Sequence, residues 1–287
     1  MILAGGAGLL ASPLSAAHAG PSRLRTAARR LANIESDIGG RVGVAALDTG
    51  SGAWLRHRAD QRFAMCSTFK VLLAATVLHR VDVGQLDLGR AVRFTRADLL
   101  SYAPVTSARV EEGAMSVEAL AAAAVEVSDN TAANLLLALV GGPAAVTRRM
   151  RGLGDRVTRL DRTEPELNTN LVGDVRDTTT PAAFVQTLRH ILLGGGLSSA
   201  SAQRLAAWMV DCKTGRDRLR AAAPPGWRAG DKTGSGANGA VNDVAIFWPP
   251  NRPPILIGAF LSGSPRPTEQ LAANHAAIGR VVVDAFA

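Results

Sequence analysis

The sequence predicts an α/β domain assembled from both chain ends, with an all-α domain inserted between them. Three observations carry this reading. A helical repeat and two short strand patterns lie near the start, two buried strand patterns and a helical repeat lie at the end, and the segment from Ser67 to about Met209 shows helical periodicity broken only by loops. Strands confined to the two ends must meet in one sheet, and helices confined to the middle must pack as a layer of their own. The expected division is residues 20–65 and 214–287 for the α/β part and 66–213 for the helical part.

Met1 to Ala19 contain no Lys, Arg, Asp or Glu and end in Ala17-His18-Ala19, which fits the small-x-small rule for signal cleavage. Gly5, Gly6, Gly8 and Pro13 argue against a buried helix there. Residues 1–19 are therefore read as an export signal removed before Gly20, which places the mature protein in the periplasm or outside the cell. The usual positively charged start is missing, as a truncated or misassigned start would leave it. From Arg23, the residues Leu24, Ala27, Ala28, Leu31, Ile34 and Ile38 recur at helical spacing, and Gly39-Gly40 ends the run. Val42 to Leu47 and Ala53 to Arg56 flank Asp48-Thr49-Gly50-Ser51-Gly52, the pattern of two strands joined by a tight turn. In the middle, Thr180 caps a helix whose first residue is Pro181, and Gly194-Gly195-Gly196 closes it. Lys232 to Gly236 is read as a segment preceding a strand. Val241 to Trp248 and Pro254 to Leu261 are buried strands, and Leu271, Ile278, Val281 and Val282 mark one face of a last helix.

Of 287 residues, 47% are hydrophobic and 20% charged, which supplies a large core and excludes a disordered chain. The net charge of +8 would suit an anionic partner, but lysine occurs only at positions 70, 213 and 232 and the arginines are scattered. With aromatics at 4% and no basic run interleaved with them, the sequence gives no support to nucleic-acid binding. No stretch after residue 19 reaches the roughly 18 uninterrupted apolar residues of a membrane span. Histidines 18, 57, 79, 190 and 275 form no ligand-spaced cluster, so neither a metal nor another cofactor is expected.

The chemistry begins at Ser67-Thr68-Phe69-Lys70, at the head of the apolar run Val71 to Val81. In a helix, residues three apart share a face, which sets the Lys70 amine beside the Ser67 hydroxyl. A serine hydroxyl attacks only when a base takes its proton, and a lysine serves when burial or neighbouring charge lowers its pKa. Taken alone the motif also fits a capping serine with a surface lysine. Two further motifs follow in order: Ser128-Asp129-Asn130, which separates two apolar runs, and Lys232-Thr233-Gly234-Ser235-Gly236. Between them lies Arg162-Thr163-Glu164-Pro165-Glu166-Leu167-Asn168, followed by Asp177. Long irregular segments in compact domains are usually functional.

With these four motifs in this order, the chain resembles the class A serine β-lactamases over nearly all of its mature length. The resemblance implies a β-lactamase/penicillin-binding-like fold, an antiparallel sheet flanked by helices from both termini with the helical domain inserted. It implies that residues 162–177 form an omega loop clamped by Arg162 and Asp177, with a cis bond before Pro165. It implies that Ser67 is acylated by the lactam, and that the N–H groups of Ser67 and Ser235 form the oxyanion hole. Lys70 takes a proton in acylation, where it or Glu164 is the main base. Ser128, with Lys232 beside it, protonates the departing nitrogen. Glu164 and Asn168 hold the hydrolytic water, and Asn130 binds the side-chain amide of the substrate. Lys232, Thr233 and Ser235 receive the substrate carboxylate, and Tyr102 stands as an aromatic gate beside the thiazolidine ring. Many family members add an arginine at the position of Val241; Arg218 matches an alternative source of that guanidinium. Cys66 matches a cysteine that in one branch pairs with a residue here replaced by Gly236, so free thiols are expected. The partner implied is a small-molecule β-lactam acting on a monomer. A penicillin-binding peptidase and a β-lactam sensor domain are the alternatives, disfavoured by Glu164 and Asn168 and by the lack of a span.

Overall fold

The computed structural model describes residues 20–286, so the expected export signal lies outside the described residues. Helix α1 (Pro21–Ile38) ends at Gly39, whose φ of 66° is the left-handed C-terminal turn that glycine enters without a Cβ penalty. Strands β1 (Arg41–Asp48) and β2 (Trp54–His57) follow, and the turn between them is closed by the Asp48 carboxylate, which accepts from Gly50 N–H and the Ser51 hydroxyl. After β3 (Phe63–Ala64), a single turn of 3-10 helix, Cys66–Thr68, leads into α2 (Phe69–Asp82). The chain then runs through β4 (Ala91–Arg93), α3 (Pro104–Ala108), β5 (Ala114–Ser116), α4 (Val117–Glu126), α5 (Asn130–Val140) and α6 (Pro143–Gly152). It continues through β6 (Thr178–Thr179), α7 (Pro181–Leu193), α8 (Ser199–Val210), β7 (Arg228–Ser235), β8 (Val241–Trp248), β9 (Ile255–Ser262) and α9 (Thr268–Phe286).

The main sheet has the order β2-β1-β9-β8-β7 with antiparallel neighbours throughout. The two chain ends meet where β1 pairs with β9, from Arg41 opposite Ser262 to Asp48 opposite Ile255. Both faces of the sheet are covered, which is why β8 and β9 read as nearly continuous apolar runs rather than alternating ones. One face packs Val42, Val44, Phe247 and Ile257 with Leu31 of α1 and Ile278 and Val282 of α9. The other places Phe260 and Val244 with Phe184 of α7 and the buried side chains of α2, α4 and α5. α2 is buried from Phe69 to Leu78, so it forms the centre of the helical layer and holds its N-terminal turn against the sheet.

One reading of the sequence is corrected and another is extended. The middle segment is not wholly helical: β4 pairs with β5, and β6, at Thr178–Thr179, pairs with β3. Ladders of two or three residues are too short to print a period of two. Lys232 to Gly236 precede strand β8 as read, but Lys232 to Ser235 also end a strand of their own, β7, which pairs with β8 from Arg228 opposite Trp248 to Ser235 opposite Val241 and which the sequence did not show. β7 lies at the sheet edge and carries Gly230, Lys232 and Gly234, so its strand character comes from pairing with β8 and not from apolar alternation. Among the described residues no single helix is long and apolar enough to cross a membrane.

Candidate active site

The site lies where the edge of the sheet meets the start of α2. Asn242 of β8 donates to the carbonyls of Ala64 and Met65, at 2.9 and 3.0 Å, and so fixes the chain as it enters the Cys66–Thr68 turn. Cys66 takes a φ of 45°, a conformation that non-glycine residues rarely hold without support from their surroundings. From the other side Gly234 presses on this turn: a Cβ there would come within 2.8 Å of the Met65 carbonyl oxygen and 3.0 Å of the Ser67 nitrogen. No side chain fits at that crossing, which is the physical reason for glycine in the Lys232-Thr233-Gly234 motif.

Ser67 and Lys70 meet as their spacing predicts. The Lys70 amine lies 3.0 Å from Ser67 Oγ and donates to the Ser128 carbonyl at 2.8 Å and Asn130 Oδ1 at 2.5 Å. It also reaches Ser128 Oγ at 3.2 Å and Glu164 Oε1 at 3.0 Å. The side chain is wholly buried, and burial pushes its pKa below the ordinary lysine value, with the Glu164 carboxylate pulling the other way. Ser128 adopts a φ of 62°, and Asp129 caps α5 through Ala132 N–H at 2.8 Å while accepting from Val105 and Thr106 N–H of α3. That carboxylate ties α5 to α3 and brings Tyr102, 49% exposed, alongside: its carbonyl accepts from Asn130 N–H at 2.9 Å.

Glu164 reaches Ser67 across 97 residues of sequence. Its Oε1 lies 3.2 Å from Ser67 Oγ, and its Oε2 accepts from Asn168 Nδ2 at 2.5 Å. The bond to Pro165 is cis, as expected from the resemblance. The loop that carries it is clamped at its ends. Arg162 Nε donates to Asp177 Oδ2 at 2.6 Å, and Asp177 Oδ1 accepts from the N–H groups of Asp161 and Arg162. Sequence reasoning missed Asn134 of α5, whose amide accepts from Glu164 N–H at 3.0 Å and donates to the Glu164 carbonyl at 2.8 Å. One asparagine thus grips the backbone of Glu164 from both sides, and nothing local in the sequence marks it.

Along β7 the placement agrees in part. Arg218 is buried under the end of the strand and donates to the Gly234 carbonyl at 3.1 Å, the Asn242 carbonyl at 2.7 Å and Ser235 Oγ at 2.9 Å. Val241, by contrast, belongs to the opposite core. Lys232 is fully buried, and burial brings its pKa down to about 8, with the Lys70 charge acting in the same direction. Its amine donates to its neighbour's carbonyl, Thr233 O, at 2.8 Å, and the Ser128 hydroxyl is engaged by Lys70 instead. Thr233 Oγ1 is 2.5 Å from Thr214 Oγ1, a partner the sequence reading did not include. Both cysteines are free and buried. Among the described residues no group of three His, Cys, Asp or Glu side chains is arranged to hold a metal ion.

A serine hydroxyl at the start of a helix, flanked by a buried amine and a buried carboxylate, defines a hydrolase that works through an active-site serine. Residues 26–286 match the β-lactamase enzyme family. The chain is 47% identical to β-lactamase AST-1 of Nocardia asteroides over 90% of its own length and 83% of the relative's. It is likewise 47% identical to β-lactamase L2 of Stenotrophomonas maltophilia, over 93% and 88%. Among solved structures, the class A β-lactamase of the last common ancestor of Gram-negative bacteria superposes with a TM-score of 0.90 at 53% identity, covering 91% of this chain and all of that one. The chain belongs to the β-lactamase family. It is a class A serine β-lactamase, a hydrolase of the β-lactam ring whose activity confers resistance to these antibiotics.

Proposed function

We propose that Ser67 carries the acyl group and that Glu164 drives its release. The observation behind this reading is that one carboxylate oxygen of Glu164 lies within hydrogen-bond reach of both Ser67 Oγ and the Lys70 amine. Either Lys70 or Glu164 can take the Ser67 proton as Oγ bonds to the lactam carbonyl carbon. The N–H groups of Ser67 and Ser235 receive the developing oxyanion, and the positive end of the α2 turn favours it. When the C–N bond breaks, Ser128 passes its proton to the lactam nitrogen and is resupplied through Lys70, which touches it, with Lys232 adding positive charge. Glu164, braced by Asn168, then takes a proton from the water that attacks the ester and returns it to Ser67 Oγ as the acyl–oxygen bond breaks, so that Ser67 leaves as the free hydroxyl.

The substrate carboxylate is received by Thr233, Ser235 and the Arg218 guanidinium that lies against Ser235, with Lys232 supplying long-range charge. Asn130 binds the side-chain amide and Tyr102 walls the cleft. Penicillins are the expected substrates, with cephalosporins beside them. The enzyme works as a monomer after export to the periplasm or the medium, like class A enzymes generally. Arg218→Ala is expected to raise KM for benzylpenicillin about tenfold or more, since bonds to a charged group contribute about 1.5–3 kcal/mol. Steady-state kinetics with an unchanged KM and kcat would remove Arg218 from the subsite.

The test is penicillin consumed per mole of purified protein, read together with the intact mass of the protein. Many turnovers with little lasting adduct are expected. One equivalent consumed with a stable adduct would mean that Glu164 does not release the acyl group.

A further inference from the structure

The chain between α8 and the short 3-10 turn Leu219–Ala222 runs against the end of β7 and reaches it twice. Thr214 meets Thr233, and four residues later Arg218 meets Gly234 and Ser235. The backbone holds Thr214 in place. Gly215 lies so close to Asp231 that a Cβ would come within 1.6 Å of its carboxylate, and Arg218 N–H returns to the Gly215 carbonyl at 3.0 Å. No residue with a side chain fits at position 215, so Thr214 cannot slide along the strand.

Two hydroxyls 2.5 Å apart share one hydrogen between them, and which one donates decides what the other presents outward. If Thr233 donated to Thr214, its lone pairs would face the substrate and repel a carboxylate. If Thr214 donates, the Thr233 hydrogen is free to point at the substrate. Cys212 favours the second arrangement. Its sulfur, 3.3 Å from Thr214 Oγ1, is a weak acceptor and competes poorly with the Thr233 oxygen at 2.5 Å for the Thr214 hydrogen. The Thr214 hydrogen is then left for Thr233.

We propose that Thr214 is a positioning residue of the carboxylate subsite: its hydroxyl, donating to Thr233 Oγ1, turns the Thr233 hydrogen outward onto the carboxylate of the β-lactam. This rests on the reading of Thr233, Ser235 and Arg218 as that subsite. In this role Thr214 acts through Thr233 and not on the substrate directly. Its effect is therefore confined to substrates that carry the carboxylate.

The experiment compares benzylpenicillin with its methyl ester on the wild type, Thr214→Val and Thr214→Ser. Valine keeps the shape and removes the hydroxyl; serine keeps the hydroxyl. Thr214→Val is expected to raise KM for the free acid about fivefold, the size of one modest hydrogen bond, with kcat and the ester's kcat/KM unchanged. Thr214→Ser is expected to restore the wild-type KM. The ratio of kcat/KM for acid to that for ester is read on one preparation and does not depend on how much of the variant is folded. An unchanged ratio in Thr214→Val, or equal losses on acid and ester, overturns the proposal. A wild type that treats acid and ester alike overturns the subsite reading itself, which separates the two failures.

Discussion

Glu164→Ala is expected to take up one penicillin and fail to release it. The carboxylate is the group placed to take a proton from the hydrolytic water, and general bases contribute about 10²- to 10⁴-fold to the step they serve. Acylation has a second base. Removing Glu164 removes the main charge that holds the Lys70 proton in place, while burial, the larger influence, remains and lowers the amine's pKa further below the ordinary lysine value. Once it has given up its own proton, Lys70, 3.0 Å from Ser67 Oγ, can accept that of the serine. Intact mass after mixing with benzylpenicillin should show a single stoichiometric adduct, and peptide mapping should place it on Ser67. Steady-state kcat should fall about 10³-fold, within the range general-base removal spans. Slow acylation with no adduct would instead make Glu164 the base of the first step, and turnover near that of the wild type would remove it from the mechanism.

The second large effect is expected at Asp177. Its carboxylate is fully buried and accepts from two backbone N–H groups and the Arg162 guanidinium, closing both ends of the loop that carries Glu164. Removing one partner of a buried pair costs about 3–5 kcal/mol, and here the lower end is expected, because Arg162 is partly exposed and keeps Asp174 at 3.7 Å while the two N–H groups lose their acceptor. Asp177 also holds a φ of 56°, which alanine tolerates poorly and asparagine well. Asp177→Ala should lower the urea midpoint of unfolding substantially and slow deacylation as Glu164 loses its seat. Asp177→Asn keeps an acceptor for the N–H groups and the backbone conformation, so it should lose clearly less stability. Equal midpoints for the two variants would contradict this account.

The fold was legible where its signals are local. Helix α1 was marked by its repeat and by Gly39, α7 by Thr180 and Pro181, and the α9 face by residues at helical spacing. The strands β8 and β9 announced themselves because a sheet covered on both faces demands continuous apolar runs. β7 did not, because an edge strand that serves the site spends its residues on Lys232, Thr233 and Gly234 rather than on apolar alternation. The short ladders β3–β6 and β4–β5 lack the length to show any period.

The site divides in the same way. Ser67 and Lys70 could be paired from sequence because three residues of helix bring them together, and the motifs that accompany them could be placed by resemblance. The export reading is also a matter of sequence alone, since residues 1–19 lie outside the described structure. The clasp of Asn134 on Glu164, that of Asn242 on the approach to Ser67 and the meeting of Thr214 with Thr233 carry no such mark. Each joins residues whose separation along the chain is unrelated to any helical or strand period. Hydrogen bonds of that kind exist only once packing has brought two segments within 3 Å, so the amino-acid order determined which chemical groups the enzyme owns, and the tertiary structure decided which of them touch.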